Sequence, residues 1–269
     1  MTVNQQYRVL NPAGAEPREI SEVVNNVMNG KTNNTGEITL ATGWATTTTL
    51  YDERIGYDSV ILLTPSSTAT LQSSTPYGSF SNNTDQTAPS VGSTAVVIYD
   101  TTESSNGVYR DTTNTSRIYV RNTGTYNIQF SLQIVNKSNA TQYADVWFRH
   151  NGTDVPRSNS RFDLQPRKSA TDWCYVIGTV NIFLDLTAGD YIEIAGTTSS
   201  TLVGLESVPA NTSIPEPAIP AVILTLNYIS GTSLSNGGVL VTSQTKGEAT
   251  ISHFANNTAD KTYKYLIVG

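Results

Sequence analysis

Hydrophobic and polar residues take turns along most of this chain. The clearest run spans 125–135, where Tyr126, Ile128, Phe130, Leu132 and Ile134 alternate with Asn127, Gln129, Ser131 and Gln133. A period of two predicts a β-strand with one face in a core. Segments 95–99, 117–121, 143–150, 173–186, 191–196 and 221–229 also read as strands. Turn signals separate them: Asn122-Thr-Gly124, Asn151-Gly152 and Ala188-Gly-Asp190. Asn-Gly between two strand-like runs is a strong hairpin signal. Many strands with almost no helix predict a mainly β fold, a jelly-roll sandwich over residues 75–231.

One segment breaks the period. Ile20, Val23, Val24, Val27 and Met28 recur at i, i+3, i+4, i+7 and i+8, the stripe of a short amphipathic helix. Pro17 suits its first turn, Glu19 and Glu22 suit the positive end of its dipole, and Gly30 suits its C-terminal cap. Such a helix is marginal alone in water, whereas burying the five side chains would contribute at most ~7–15 kcal/mol. The stripe is therefore expected to dock, on the rest of the chain or on a partner.

The flanks of the sandwich are more polar. Strands are expected at 37–41, 46–51 and 58–63 before it, and at 239–242, 248–253 and 263–268 after it. Threonine runs such as 46–49 suit an exposed pleated surface. Neither flank carries enough apolar residues for a core of its own. The expected organisation is an arm and helix at 1–30, then one small β module made of 31–74 and 232–269, interrupted by the jelly roll at 75–231. Insertion succeeds where the guest's ends lie close together, so 71–76 and 230–234 are expected to act as paired tethers. The proline-rich stretch 209–220 is expected to be a loop or extended edge leading into the last strand of the sandwich.

Composition narrows the function. The 269 residues carry a net charge of −6, and only 14% are charged. Disorder usually couples polarity to high charge, so this polarity reads as uncharged sheet surface. Nucleic-acid binding needs a basic face. The nearest approach, Arg157, Arg161, Arg167 and Lys168, is interspersed with Asp154, Asp163 and Asp172 and reads as a solvated mixed surface. Cys174 is the single cysteine; it can close no internal disulfide and is expected to be a buried core thiol. No apolar run approaches the ~18–20 residues of a membrane helix, and the first residues lack the regions of a signal peptide. Synthesis in a cytoplasm without membrane insertion is the expectation.

Several motifs occur in order: Pro76-Tyr-Gly-Ser-Phe80, Ser116-Arg-Ile-Tyr-Val120, Gly124-Thr-Tyr-Asn-Ile-Gln-Phe130, Val146-Trp-Phe-Arg149 and Leu186-Thr-Ala-Gly-Asp190. With them the central block resembles the jelly-roll heads of the tumour necrosis factor and complement globular-head superfamily, in the form carried by bacteriophage structural proteins. The flanks open on Asn29-Gly-Lys31, continue through Val60-Ile-Leu-Leu-Thr-Pro65 and close on His253-Phe-Ala-Asn-Asn257 and Asp260-Lys-Thr-Tyr263. They are similar to small proteins of marine tailed phages. The resemblance implies a homotrimer on the virion, assembled in the host cytoplasm, with tail or capsid proteins as partners. It implies a tail fibre or similar appendage whose head contacts a glycan or protein of the host surface. A capsid decoration or head-fibre protein is the alternative, and a tail-associated glycan hydrolase a third reading.

Little in the chain points to catalysis. His150 and His253 have no companion at metal-ligand spacing. No Gly-x-Ser-x-Gly elbow is present, and the acids read as turn residues rather than a carboxylate pair. No catalytic residue, metal or cofactor is expected. The anchoring face is expected to be Ile20, Val23, Val24, Val27 and Met28. Loops on a rigid scaffold commonly carry recognition, so host contact is expected from 150–161, 166–172 and 205–216, with Asn151, Arg157, Arg161, Arg167 and Lys168 as candidate residues.

Overall fold

Strands from the two flanks of the chain pair with each other. The computed structural model describes residues 10–29, 33–66, 75–88, 90–213, 215–231 and 238–269. Helix α1 (Pro17–Met28) precedes β1 (Thr35–Thr39), β2 (Ala45–Tyr51) and β3 (Val60–Pro65). The central block holds β4 (Tyr77–Asn82), β5 (Gln86–Thr87), β6 (Ala95–Val96), β7 (Thr101–Asn106), β8 (Val108–Arg110), β9 (Ile118–Val120) and β10 (Gly124–Asn136). It continues with β11 (Gln142–His150), β12 (Thr153–Asp154), β13 (Ser160–Leu164), β14 (Cys174–Leu186), β15 (Tyr191–Thr198), β16 (Val203–Leu205) and β17 (Val222–Ser230). The chain closes with β18 (Val239–Thr245), β19 (Glu248–Asn256) and β20 (Thr262–Val268).

Strand β20 lies between β1 and β3, with Glu37 opposite Lys264 and Leu63 opposite Tyr265. Strand β19 lies between β18 and β2. Leu40, Leu50 and Ile55 from the first flank meet Ala249, Ile251, Tyr263, Tyr265 and Ile267 from the second in one buried cluster. Each flank supplies only part of that core, which is why neither looks self-sufficient alone. Gly36 is required where it stands, because a Cβ there would come within 2.2 Å of the Tyr265 ring. Asp52 ties the cluster's edge: Arg54 Nε and the Tyr265 hydroxyl donate to it at 2.7 and 2.8 Å. Chiefly through Arg54, these bonds pull the Asp52 pKa down to about 2.

The central block is an antiparallel two-sheet sandwich. In the front sheet β14, β10, β17, β4 and β7 follow one another, and the short β16 and β5 extend it beyond the end of β17. In the back sheet β12 and β13 flank β11, followed by β15, then β9 and β8, with β6 also on β15. The alternation along β10 sends Tyr126, Ile128, Phe130, Leu132 and Ile134 inward, all essentially inaccessible. They share a core with Val146, Phe148, Ile192 and Ile194 of the back sheet, and the Phe130 and Phe148 rings meet at 5.1 Å. Asn151 and Gly152, at φ 48° and 79°, form the left-handed turn between β11 and β12 that Asn-Gly predicts.

Register separates two ends of the sandwich. At one end Thr125 faces Ser230 and His150 faces Ile192. At the other Asn136 faces Cys174 and Val203, and Ala144 faces Thr198. The flanking module meets the first end. There Arg121 sits between the rings of Trp44 and Tyr109, at 4.5 and 4.1 Å, and Phe254 packs edge-on to Tyr228 at 5.0 Å. The second end is the far end.

Several expectations change. Within 95–99 only Ala95–Val96 forms a strand, because the Gln86 side chain replaces a strand partner at Ile98, donating to its carbonyl and accepting from its N–H, each at 2.9 Å. Strands β4, β7, β8, β13 and β16 were not anticipated. In β4 and β7 the residues are mostly Ser, Thr, Gly and Asn, whose place in a sheet is set by neighbours rather than by propensity. Cys174 is half-buried, not a core thiol, because it opens the edge strand β14. Stretch 209–220 folds back on itself through Val208–Ile219 and Asn211–Glu216 bridges. Gly30 and the greater part of both expected tethers lie outside the described residues.

Candidate assembly face and contact loops

The outer face of the front sheet stands apart by its chemistry. Strands β14, β10, β17 and β4 lie side by side and carry one charged residue between them, Asp185. Asn181, Gln129, Thr225 and Ser79 form one cross-strand row, and Thr179, Ser131 and Ile223 the next. Ile177 and Phe183 on β14 are 60% and 61% exposed, and Tyr77, Ile223 and Ile229 add to the apolar area. Among the described strands β14 pairs only with β10, so its other edge is open over thirteen residues. A long open edge beside an apolar, sparsely charged face is a template for another chain. Two such faces can meet with little charge repulsion and with few ions to desolvate.

The expected anchoring face is equally uncovered. No residue of α1 is buried; Ile20, Val24 and Val27 are each about half exposed, Met28 more so, and Val23 is half-buried. The helix begins as expected, with Pro17 in its first turn and the Glu16 N–H donating to Glu19 Oε2 at 3.3 Å. Its stripe therefore has the pattern of a packing surface without burial.

The five candidate loop residues do not form one site. Asn151 stands at the end beside the flanking module, where it accepts from the Tyr191 N–H at 2.9 Å and donates to Asp190 at 2.7 Å. Asp190 also bonds His150 Nε2 at 2.8 Å. Arg157 belongs to the same end, at φ 64°. Arg161 is in strand β13 rather than a loop. Its guanidinium donates twice to Asp145, at 2.8 Å each, and covers the Tyr143 ring at 4.0 Å. Arg167 and Lys168 lie at the far end, where the Arg167 N–H donates to the Ser138 carbonyl and Lys168 reaches Asp172 at 3.8 Å.

A cluster that sequence spacing does not betray occupies the far end of the front sheet. Lys137 Nζ lies 3.0 Å from Glu206, 3.9 Å from Asp85 and 4.1 Å from the centre of the Trp173 ring. Tyr175, the second residue of β14, is 43% exposed. Partial burial and a hydrogen bond to the Glu206 carboxylate push its hydroxyl up to about 12. These groups come from four separate stretches, so only the register assembles them. Nearby, a cleft of about 250 Å³ opens between the sheets, walled by Leu132, Ile134, Val146 and Val203.

His253 is structural. The Ala41 N–H donates to Thr48 Oγ1 at 2.7 Å, so the Thr48 hydroxyl donates onward to His253 Nε2 at 2.8 Å. The Nδ1–H then donates to the Phe254 carbonyl at 2.8 Å. Every polar atom of the buried, neutral ring is thereby matched, and desolvation lowers its pKa. Set beside known proteins, the chain matches no protein-family model and no curated protein.

Proposed function

We propose that the chain is a trimeric appendage of a tailed bacteriophage particle, whose sandwich head contacts the host cell surface. The observation that carries this reading is the closing strand β20 seated between β1 and β3. This pairing joins both flanks in one module at one end of the sandwich, and the expected contact loops 166–172 and 205–216 start from the opposite end, which supports reading the module as the anchor. The sparsely charged front-sheet face supports self-association, and the resemblance to trimeric jelly-roll heads supplies the number three. The uncovered stripe of α1 supports attachment to a tail or capsid protein.

Adsorption tests the reading. Purified chain added to host cells before the particle is expected to bind the cells and to leave more particles free in the supernatant. Absence of both binding and competition, at concentrations where the chain is assembled, would remove the host-contact role.

A further inference from the structure

Two apolar faces are left uncovered among the described residues. One is the stripe of α1, Ile20, Val24, Val27 and Met28, with no residue of the helix buried and no described strand packed closely on it. The other is the outer surface of the β1–β20–β3 sheet. There Leu62 faces Leu266 and Val60 faces Val268, while the alternate residues Ile61, Leu63, Tyr265 and Ile267 turn toward the module's core. Val60, Leu62 and Val268 are each about half exposed. Thr35 completes the Leu62–Leu266 row, and one row away Glu37 faces Lys264, so the charge bordering the patch balances. An antiparallel sheet with one face on a core normally turns polar residues to water on the other. Four neighbouring aliphatic side chains on that face mark a contact surface.

We propose that in the assembled protein α1 of one copy lies on the β3–β20 face of the next. The proposal rests on the trimer reading and describes the assembly before attachment, when no particle protein covers the stripe. Chain length permits it. Residues 29–34 join Met28 to Thr35, a stretch that spans at most ~25 Å, and Thr35 already stands in a row of the patch. Within one chain the helix stands clear of the strands, so the cover comes from a neighbour. Helix face and sheet face are different surfaces, and their contact is head-to-tail. In a ring of three, each copy gives one helix and receives one, and neither face stays open. Assembly through the front-sheet face keeps the copies together, which favours the exchange through effective concentration. A membrane surface is a poorer cover. Helices that lie among lipid headgroups carry Lys and Arg on the polar face, whereas α1 carries Glu19 and Glu22 beside Arg18.

Cross-linking of the full chain in a Cys174→Ser background tests this. One copy carries Val24→Cys, and a co-expressed copy carries Val60→Cys, Leu62→Cys or Val268→Cys. A short bismaleimide is expected to join the two chains through at least one of the three pairs, with the joined peptides identified by mass spectrometry. Ile20→Asp with Val27→Asp is expected to cut that product at least about tenfold, while the fold persists because both side chains are exposed. Placed together in one chain, Val24→Cys and Leu62→Cys are expected to give linked chains rather than an internally closed monomer. In the unsubstituted chain the α1 amides are expected to be protected from hydrogen exchange, since a helix this short is marginal when undocked. No cross-chain product from any pair, closure only within single chains, or unprotected α1 amides in the assembled chain would overturn the exchange. Light scattering on the parent separates the two readings. A trimer without cross-chain product removes the exchange and leaves the trimer standing, and a monomer removes both.

Discussion

At the scale of single residues, His253 gives the flanking module a pH dependence with a definite sign. Burial lowers its pKa below the ordinary 6.5, with Lys261 adding to the effect. The unfolded chain therefore takes up the proton more readily than the folded one. Stability from this group is complete above about pH 6.5 and falls as pH drops below it. The Asp52 contribution is lost only between the ordinary carboxylate value of 3.8 and about 2, so it does not interfere. The melting temperature of the module is expected to fall between pH 7.5 and pH 5, and His253→Gln to flatten that slope while lowering the starting value. Parallel slopes for parent and variant would refute this assignment. Little at this scale was legible in the sequence. A histidine beside Phe254 has no visible partner until β2 brings Thr48 to it across 205 positions. The same holds for Lys137, Trp173 and Glu206, whose meeting depends on three strand registers.

At the scale of elements, the period-two pattern located the long central strands well, because β10 has one face wholly in the core. It did not find β4 or β7, whose small polar residues carry no pattern that distinguishes a strand from a loop. Nor did it separate Arg161 in β13 from its neighbouring loops. The scarcity of charge along β10, β14 and β17, where Asp185 is the one charged residue, was readable in the sequence, but its meaning required the knowledge that these strands are neighbours. Their shared face yields a direct prediction. Light scattering is expected to give the parent chain about three times its 29.0 kDa mass. Ile177→Lys with Phe183→Asp is expected to give the monomer mass while the fold persists, since both side chains lie outside the core. A parent that is monomeric at micromolar concentration would end the assembly proposal, and an unchanged variant would move the interface elsewhere.

At the scale of the whole molecule, the joint between module and sandwich rests on ring contacts. Trp44 holds a left-handed backbone, φ 63°, which is unfavourable for a bulky residue. Its ring lies on Arg121, which lies on Tyr109. Trp44→Gly removes both the ring and the strain. The module is expected to keep its stability within about 1 kcal/mol, while backbone relaxation measured by NMR should show the sandwich tumbling more independently. Identical relaxation in parent and variant would mean that other contacts set the joint. The Arg121 clamp has a mechanical consequence. A sideways load at the far end acts on a lever, and the stacked rings near its fulcrum resist the bending moment. Under the proposed attachment through the flanking module, the direction of a pull, and not only its strength, would reach the attachment point.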